Sequence, residues 1–214
     1  MSRITLAWTA AIAILLACLG IFALDRGIAL GVHASGIEGA AVIVRLRGLL
    51  DTVTGYRFSG IGDLLLGGCL AVAGSVWLVA RRSNATARAL VFTGLVQLAT
   101  IAGASQIKGL FGRLRPYQLI ERGDWSHIWF AGGNSFPSGH VAFYWGLFVP
   151  LAYLYPRYRL PLLVVPVFIA LARIDENVHF LSDVLGSIAL ACLITLLAAV
   201  LVDRWIRPAA APER

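Results

Sequence analysis

Two positive side chains near the middle of the chain are spaced so that both could bind one anion. Lys108 and Arg115 are seven residues apart, and on a continuous helix this spacing places them two turns apart on the same face. Pro116 would then end that helix. Cations in this arrangement suit a phosphate group, although they could instead extend toward lipid headgroups. Arg113, which lies between them, could also contact a headgroup.

A second cluster, Pro137-Ser138-Gly139-His140, precedes an apolar run. Proline and glycine favour a tight turn at the start of a helix, where backbone amides and the Ser138 hydroxyl could hold phosphate oxygens. His140 could donate a proton to a leaving oxygen. Taken alone, this tetrapeptide could also be a simple helix cap.

Arg173, His179 and Asp183 form the third cluster. On a helix, the four-residue spacing of His179 and Asp183 would let the carboxylate accept a hydrogen bond from one ring nitrogen, which leaves the other nitrogen as an oriented nucleophile or base. A lone His/Asp pair is more often a structural hydrogen bond. Arg173 offers a bidentate grip on a phosphoryl group. Phosphoryl chemistry suits all three clusters together.

The composition places these clusters in a membrane protein. Of the 214 residues, 59% are hydrophobic and 14% are charged, against about 25% charged in a typical soluble domain. We therefore predict an all-α, polytopic helical bundle that forms a single membrane-embedded domain over residues 1–214, with its motifs in residues 108–183. Uncharged apolar runs predict six transmembrane helices: Leu6–Leu24, Leu64–Ala80, Ala89–Ile107, Val141–Tyr155, Leu160–Ala172 and Val184–Val202.

The charge distribution predicts how this bundle is oriented. Nine arginines and two acidic residues fall on one side, and they account for the net charge of +7 because the other side has nine basic and nine acidic residues. By the positive-inside rule, the arginine-rich side and both termini are cytoplasmic, so the basic charge is no sign of a nucleic-acid partner. All three clusters then face outward. The charged residues of the inner side are Arg3, Arg81, Arg82, Arg88, Arg157, Arg159, Arg204, Arg207, Arg214, Asp203 and Glu213.

The outward segment Asp25–Asp63 contains a moderately amphipathic stretch, Ile37–Leu50. It is either a helix lying in the membrane interface or a plain loop.

The three cysteines are dispersed within apolar runs. Their odd number and spacing argue against a disulfide framework and against a zinc site. We therefore predict no metal site and no cofactor.

With matched spacings in all three clusters, the sequence resembles the type 2 phosphatidic acid phosphatase family, whose lipid phosphate phosphatases share their site with vanadium haloperoxidases. The family pattern has three parts: Lys-x6-Arg-Pro, Pro-Ser-Gly-His and Ser-Arg-x5-His-x3-Asp. The one mismatch is Ala172 in place of the family serine, which we expect to alter rate or substrate fit without abolishing the chemistry. The matched positions are Lys108, Arg115, Pro116, residues 137–140, Arg173, His179 and Asp183.

The resemblance implies a role for each matched residue. His179 would attack phosphorus and form a phosphohistidine, and Asp183 would fix its tautomer. His140 would protonate the leaving group and later activate water. The phosphate oxygens would be bound by Lys108, Arg115, Ser138, the Gly139 amide and Arg173.

The expected substrate is a lipid phosphate monoester or diphosphate, with undecaprenyl pyrophosphate and phosphatidylglycerol phosphate ahead of phosphatidic acid. A lipid A phosphatase or a lipid phosphotransferase would use the same site. A small membrane transporter is an alternative of another class, but it predicts charges at mid-membrane depth, whereas these cluster at one interface. We expect a bacterial inner membrane location with the site facing the periplasm or exterior, and no obligatory protein partner.

Overall fold

The computed structural model describes residues 1–56, 61–81 and 84–206, and within these ranges the chain is helical with no strand. Five residues of π-helix, Gly20–Leu24, join the first two helices into one rod. The α-helices are α1 (Arg3–Leu19), α2 (Asp25–Ala34), α3 (Ala41–Val53), α4 (Gly62–Arg81), α5 (Ala85–Phe111), α6 (Pro116–Arg122), α7 (Gly139–Leu154), α8 (Arg159–Asp175) and α9 (Leu181–Ile206).

Four segments in the described part of the chain are helical and apolar over a length that can cross a membrane: 3–34, 62–80, 85–122 and 181–202. They contain the predicted first, second, third and sixth spans. The third segment consists of α5 and α6 with the non-helical residues 112–115 between them. The predicted fourth and fifth spans correspond to α7 and α8, which have only 16 and 17 residues, near the lower limit for crossing a bilayer. An integral membrane bundle is therefore confirmed, whereas the total of six spans and the sides of the termini stay predictions.

Several of the charges predicted to be cytoplasmic cannot be placed. Arg82, Arg207, Glu213 and Arg214 lie outside the described residues, and the side chains of Arg81, Asp203 and Arg204 are likewise not described.

The bundle is built around α5, α7 and α9. Helix α1 packs on α9, α4 packs on α5, and α8 packs on α7. The approach of α4 to α5 is backbone to backbone, because a Cβ atom on Gly94 would lie 2.5 Å from the Gly67 carbonyl oxygen, as small residues allow in membrane helices. The shared core includes Phe92, Val96, Val141, Trp145, Val149, Tyr153 and Cys192.

The predicted amphipathic stretch after α2, residues 37–50, is helical from Ala41 onward, where α3 begins, while residues 37–40 precede the helix. Its exposed face carries Val42, Leu46, Leu49 and Val53, which follow one another at intervals of three or four residues and so form one apolar stripe. Its opposite face buries Asp51, of which 1% is exposed. Helix α3 thus presents apolar side chains outward and a carboxylate inward.

Candidate active site

The Lys108–Arg115 segment does not form the continuous helix that the sequence predicted. Helix α5 ends at Phe111, because Gly112 adopts a positive φ of 50° that turns the chain. Pro116 begins the next helix, α6, instead of ending this one, which is a position that proline favours.

Lys108 and Arg115 nevertheless converge, because both bind the same residue. The Lys108 Nζ atom donates a hydrogen bond to the Asn134 carbonyl oxygen at 2.6 Å, and the Arg115 Nε atom donates to the Asn134 side-chain oxygen at 2.9 Å. Within the described residues neither cation contacts a carboxylate. Two positive groups therefore meet at a neutral amide.

The loop that carries Asn134 runs beside the turn after α5. The Ser135 amide donates to the Arg113 carbonyl oxygen, and the Gly133 amide donates to the Gly112 carbonyl oxygen. A side chain at position 133 is excluded, because its Cβ atom would lie 2.2 Å from the Arg113 carbonyl oxygen. This close pairing brings Ser135 of the loop to His179 and Asp183.

Ser138 and Gly139 stand at the start of α7, as the sequence predicted. The Ser138 amide donates to the Asp183 carbonyl oxygen, and Ser187 donates to the Ser138 carbonyl oxygen, so this turn is fixed to α9. The Ser138 hydroxyl is buried and has no hydrogen-bond partner among the described residues. The Gly139 amide, at the first position of the helix, has no intrahelical acceptor. Both groups can therefore donate a hydrogen bond to a phosphate oxygen.

His179 and Asp183 meet, although not on one helix. Helix α9 begins at Leu181, so the histidine lies in the preceding loop. Its Nδ1 atom is 3.5 Å from Asp183 Oδ2 and 3.5 Å from the Ser135 hydroxyl. The Nε2 atom is therefore the ring nitrogen left to react.

Asp183 is held by three donors and lies beside the His179 imidazole. The Ser135 hydroxyl and the Phe180 amide donate to Oδ2 at 2.5 and 2.9 Å, and Arg113 Nη1 donates to Oδ1 at 2.6 Å. None of the Asp183 side chain is exposed. Charge-assisted donors of this kind stabilise a buried carboxylate in its ionised form.

The sequence-based expectation for Arg113, contact with a lipid headgroup, is wrong. The Arg113 side chain is 2% exposed and lies between the rings of Trp129 and Phe180, at 4.4 and 4.1 Å from their centroids. A second buried carboxylate, Asp25 of α2, accepts from Arg113 Nη2 at 2.7 Å. Arg113 therefore bridges two buried carboxylates and cannot contact a lipid headgroup.

Arg173 lies in the last turn of α8 and is buried. Its Nη1 atom donates to Glu176, which also accepts from Arg47 of α3. The Arg173 Nε atom is buried without a hydrogen-bond partner among the described residues. Like the Ser138 hydroxyl, it is a donor left open in a polar site.

His140 has a carboxylate partner that the sequence did not reveal. Its Nε2 atom lies 3.4 Å from Asp51 Oδ2, and its ring packs against Tyr56 with centroids 4.0 Å apart. Burial favours the neutral form of Asp51, but the hydrogen bond and charge of His140, with Tyr144 and Arg47, outweigh it and lower the pKa of this carboxyl. Asp51 is therefore ionised beside the histidine.

The electrostatics of His179 suit a nucleophile. Burial lowers the pKa of its imidazole to about 3; Asp183 acts in the opposite direction, while the charges of Lys108 and Arg173 lower it further. The imidazole is thus neutral at physiological pH and carries a free lone pair. Two of the predicted phosphate-binding groups, Lys108 and Arg173, therefore lie within electrostatic reach of this imidazole.

The described residues contain no group of three or more His, Cys, Asp or Glu side chains arranged to hold a metal ion. Ala172, at the position of the family serine, is buried with 1% exposed.

Sequence reasoning found the residues of the three motifs and missed their partners. Asp25 and Asp51 lie far from the motifs in sequence, and the only available signal was a charged residue beside an apolar or amphipathic run. The missed partners are Asp25, Arg47, Asp51, Tyr56, Asn134 and Ser135.

Comparison with known proteins relates this arrangement to a family. The sequence model of the PAP2 superfamily matches residues 85–207, a stretch that includes all three motifs but neither Asp25 nor Asp51. Over its whole length the fold is similar to the crystal structure of the first transmembrane PAP2 type phosphatidylglycerolphosphate phosphatase from Bacillus subtilis, with a TM-score of 0.50, 19% identity, and 97% of this chain and 98% of that chain covered.

Two relatives are named as lipid A 1-phosphatases. The one from Rhizobium johnstonii is 31% identical over 118 residues, which are 54% of this chain and 46% of that protein, so the match covers less than half of its length. The one from Rhizobium etli is 29% identical over 164 residues, which are 70% of this chain and 71% of that protein.

Proposed function

This chain belongs to the PAP2 superfamily and is a phosphoric ester hydrolase of the membrane, and on that premise we propose that it removes phosphate from a lipid through a phosphohistidine on His179. The observation that carries the proposal is the environment of this imidazole. One ring nitrogen faces Asp183 at 3.5 Å, and the other is free for attack beside Lys108 and Arg173, whose charges reach it.

In the first step, His179 Nε2 attacks phosphorus, and a P–N bond forms as the P–O bond to the lipid breaks. His140 gives its proton to the leaving oxygen. Asp183 stabilises the positive charge that develops on the phosphorylated ring. The equatorial oxygens are bound by Lys108, Arg115, Arg173, the Ser138 hydroxyl and the Gly139 amide.

In the second step, water attacks the phosphohistidine. His140 takes a proton from this water, the P–N bond breaks, and inorganic phosphate leaves while His179 returns to its neutral form. Fixed donors that stabilise the charge of each transition state contribute about 100- to 1,000-fold apiece. Three cations supply this stabilisation without a metal ion in the proposed mechanism.

The substrate we propose first is lipid A, which has its phosphate removed at position 1. Two relatives carry that activity in their names, and one of them matches over 70% of this chain. This reorders the candidates, because undecaprenyl pyrophosphate and phosphatidylglycerol phosphate stood first on sequence grounds. They remain the competing substrates, together with phosphatidic acid, and transfer of phosphate to a lipid acceptor remains the competing reaction.

The site is proposed to face the periplasm or exterior of a bacterial inner membrane. The support is the charge asymmetry of the sequence, in which nine arginines and two acidic residues fall on the side opposite the motifs.

The test is phosphate release by the full chain in detergent with EDTA present, from lipid A and the three competing lipids. His179→Ala is measured beside His127→Ala, a matched change at an exposed loop histidine. We expect release by the wild type and by His127→Ala, none by His179→Ala, and the highest kcat/KM on lipid A. An acid-labile phosphoprotein should be trapped only when His179 is present.

Each part of the proposal has its own contrary result. Release that survives His179→Ala would refute the nucleophile, and release that requires a divalent cation would refute the metal-free mechanism. A higher kcat/KM on one of the other lipids would refute lipid A as the preferred substrate. If no lipid is hydrolysed, phosphotransfer with an added lipid acceptor becomes the reaction to measure.

A further inference from the structure

Helix α3 brings a carboxylate to the catalytic histidine from outside the family motifs. Asp51 is 1% exposed and lies 3.4 Å from the ring nitrogen of His140. The position precedes residue 85, where the family match begins. No motif therefore assigns it a role.

Three side chains from two helices fix this carboxylate. Arg47, one turn earlier on α3, donates to Oδ2 at 2.8 Å, and the Tyr144 hydroxyl of α7 donates to Oδ1 at 3.0 Å. His140, also on α7, approaches Oδ2. A buried carboxylate with this many partners is held in one orientation.

Tyr56 closes the other side of the histidine. Its ring lies 4.0 Å from the His140 ring, centroid to centroid, and 4.9 Å from Phe143. Burial raises the pKa of the Tyr56 phenol to about 12, so it does not compete with Asp51 as a negative group. The imidazole is thus packed on one face and paired with a carboxylate at one nitrogen.

The same helix also reaches the phosphate-binding arginine. Arg47 Nε donates to Glu176, and Arg173 donates to the other carboxylate oxygen of Glu176. A continuous chain of alternating charges therefore runs from His140 through Asp51, Arg47 and Glu176 to Arg173. Its two ends are the proposed acid and a proposed phosphate-binding group.

From this geometry we infer that Asp51 is the positioning residue of His140: it orients the imidazole and stabilises the protonated ring that gives its proton to the leaving oxygen. Burial lowers the pKa of His140 to about 4; the hydrogen bond and the charge of Asp51 act in the opposite direction, while the charges of Arg173 and Arg47 lower the pKa further. His140 must be charged to act as the acid in the first step, and the adjacent Asp51 carboxylate favours that charged form. This inference rests on the proposed function, because it assigns a partner to the acid of that mechanism.

Two substrates with different leaving groups can distinguish a role of Asp51 in positioning the acid from a purely structural role. An alkoxide leaves slowly unless it is protonated, whereas p-nitrophenolate leaves without a proton. Loss of general-acid catalysis therefore slows an alkyl phosphate far more than an aryl phosphate. Damage to the fold or to phosphate binding slows both.

The experiment compares kcat and KM of the full chain in detergent on dioctanoyl phosphatidic acid and on p-nitrophenyl phosphate. For Asp51→Asn we expect kcat on the alkyl substrate to fall about 10- to 100-fold, part of the full contribution of a general acid, with less than about threefold loss on the aryl substrate. His140→Gln should show the same selectivity and a larger effect. When His140→Gln is already present, adding Asp51→Asn should not further increase the difference between the kcat losses on the alkyl and aryl substrates.

Asp124→Asn is the matched control, because Asp124 is a fully exposed loop residue, and it should leave both rates unchanged. A second readout is the pH profile of kcat/KM on the alkyl substrate. The decrease of kcat/KM at high pH should begin at a lower pH in Asp51→Asn, since the protonated His140 ring has lost its negatively charged neighbour.

If Asp51→Asn does not fold, Tyr144→Phe tests the same carboxylate, because it removes one donor to Oδ1 and keeps the ring. It should show the same selectivity with a smaller effect. Equal loss on both substrates, or no loss on either, would overturn the inference while leaving the proposed function intact. If the wild type hydrolyses neither substrate nor any lipid, the proposed function fails, and the inference fails with it.

Discussion

Replacing Arg113 with glutamine should unfold the protein more easily and should also slow catalysis. The guanidinium is 2% exposed and donates to Asp25 at 2.7 Å and to Asp183 at 2.6 Å. Without it, two buried carboxylates lose their common counter-charge. Removing one partner of a buried ion pair costs about 3–5 kcal/mol, which corresponds to a drop of roughly 10 °C in melting temperature for a chain of this size.

The catalytic loss should be separable from the loss of stability. Asp183 would keep its bonds from Ser135 and Phe180, so its carboxylate would remain near His179 but less well oriented. Small misplacement of a catalytic group can lower the rate about 100-fold. Adding Asp25→Asn to Arg113→Gln removes the excess negative charge and should recover about half of the lost stability, without restoring the rate.

The assay is thermal unfolding in detergent together with phosphate release at a temperature where every variant is folded. Arg122→Gln is the matched control, because Arg122 is exposed, and it should behave like the wild type. If Arg113→Gln matches the wild type in both measurements, the bridging role is refuted. If the double variant is no more stable than Arg113→Gln, the charge-balance reasoning is wrong even though the residue matters.

Three further predictions concern the phosphate site. Burial lowers the pKa of His179 to about 3, so the imidazole stays neutral as the pH falls. After correction for substrate ionisation, kcat/KM should therefore show no decrease at acidic pH with a midpoint near the usual histidine pKa of about 6.5. A decrease with that midpoint would contradict the assignment of His179 as the nucleophile. Ser138→Ala, which removes a buried unpaired hydroxyl, should lower kcat on a lipid phosphate by about 100-fold while its melting temperature stays unchanged. Ala172→Ser should change kcat/KM by less than about tenfold, since removing or adding one hydrogen bond is worth about 0.5–1.5 kcal/mol, and a larger change would show that the missing serine limits catalysis.

The motif spacings predicted which residues converge more reliably than they predicted how. Lys108 and Arg115 do meet, but through Asn134 after a turn at Gly112, and not on a shared helical face. His179 does pair with Asp183, but from the loop before α9. The same two residues can meet in more than one backbone conformation. Their spacing therefore predicts which residues come into contact better than it predicts the secondary structure that brings them together.

The buried partners lay beyond this reasoning for a physical reason. Asp25 and Arg113 are separated by 88 positions in the chain, and Asp51 and Tyr144 by 93. No local periodicity relates residues at such distances, and only the packing of α2 and α3 against the bundle brings them together. The amphipathic pattern did indicate a possible helix at α3, yet it could not identify Asp51 as the residue that this helix buries.

The charge balance of the site explains why it should prefer a phosphate dianion. Arg113 is matched by two carboxylates, and Arg173 shares Glu176 with Arg47. Among the described residues, the Lys108 and Arg115 side chains donate hydrogen bonds to the neutral Asn134 and have no carboxylate partner. Lys108 and Arg115 are thus the two described cations of this cluster without a carboxylate partner, and we expect them to contact a phosphate monoester, which carries a charge of about −1.5 to −2 at neutral pH. Asp25 and Asp51, the carboxylates that sequence reasoning missed, contribute to this charge balance, because Asp25 pairs with Arg113 and Asp51 pairs with Arg47.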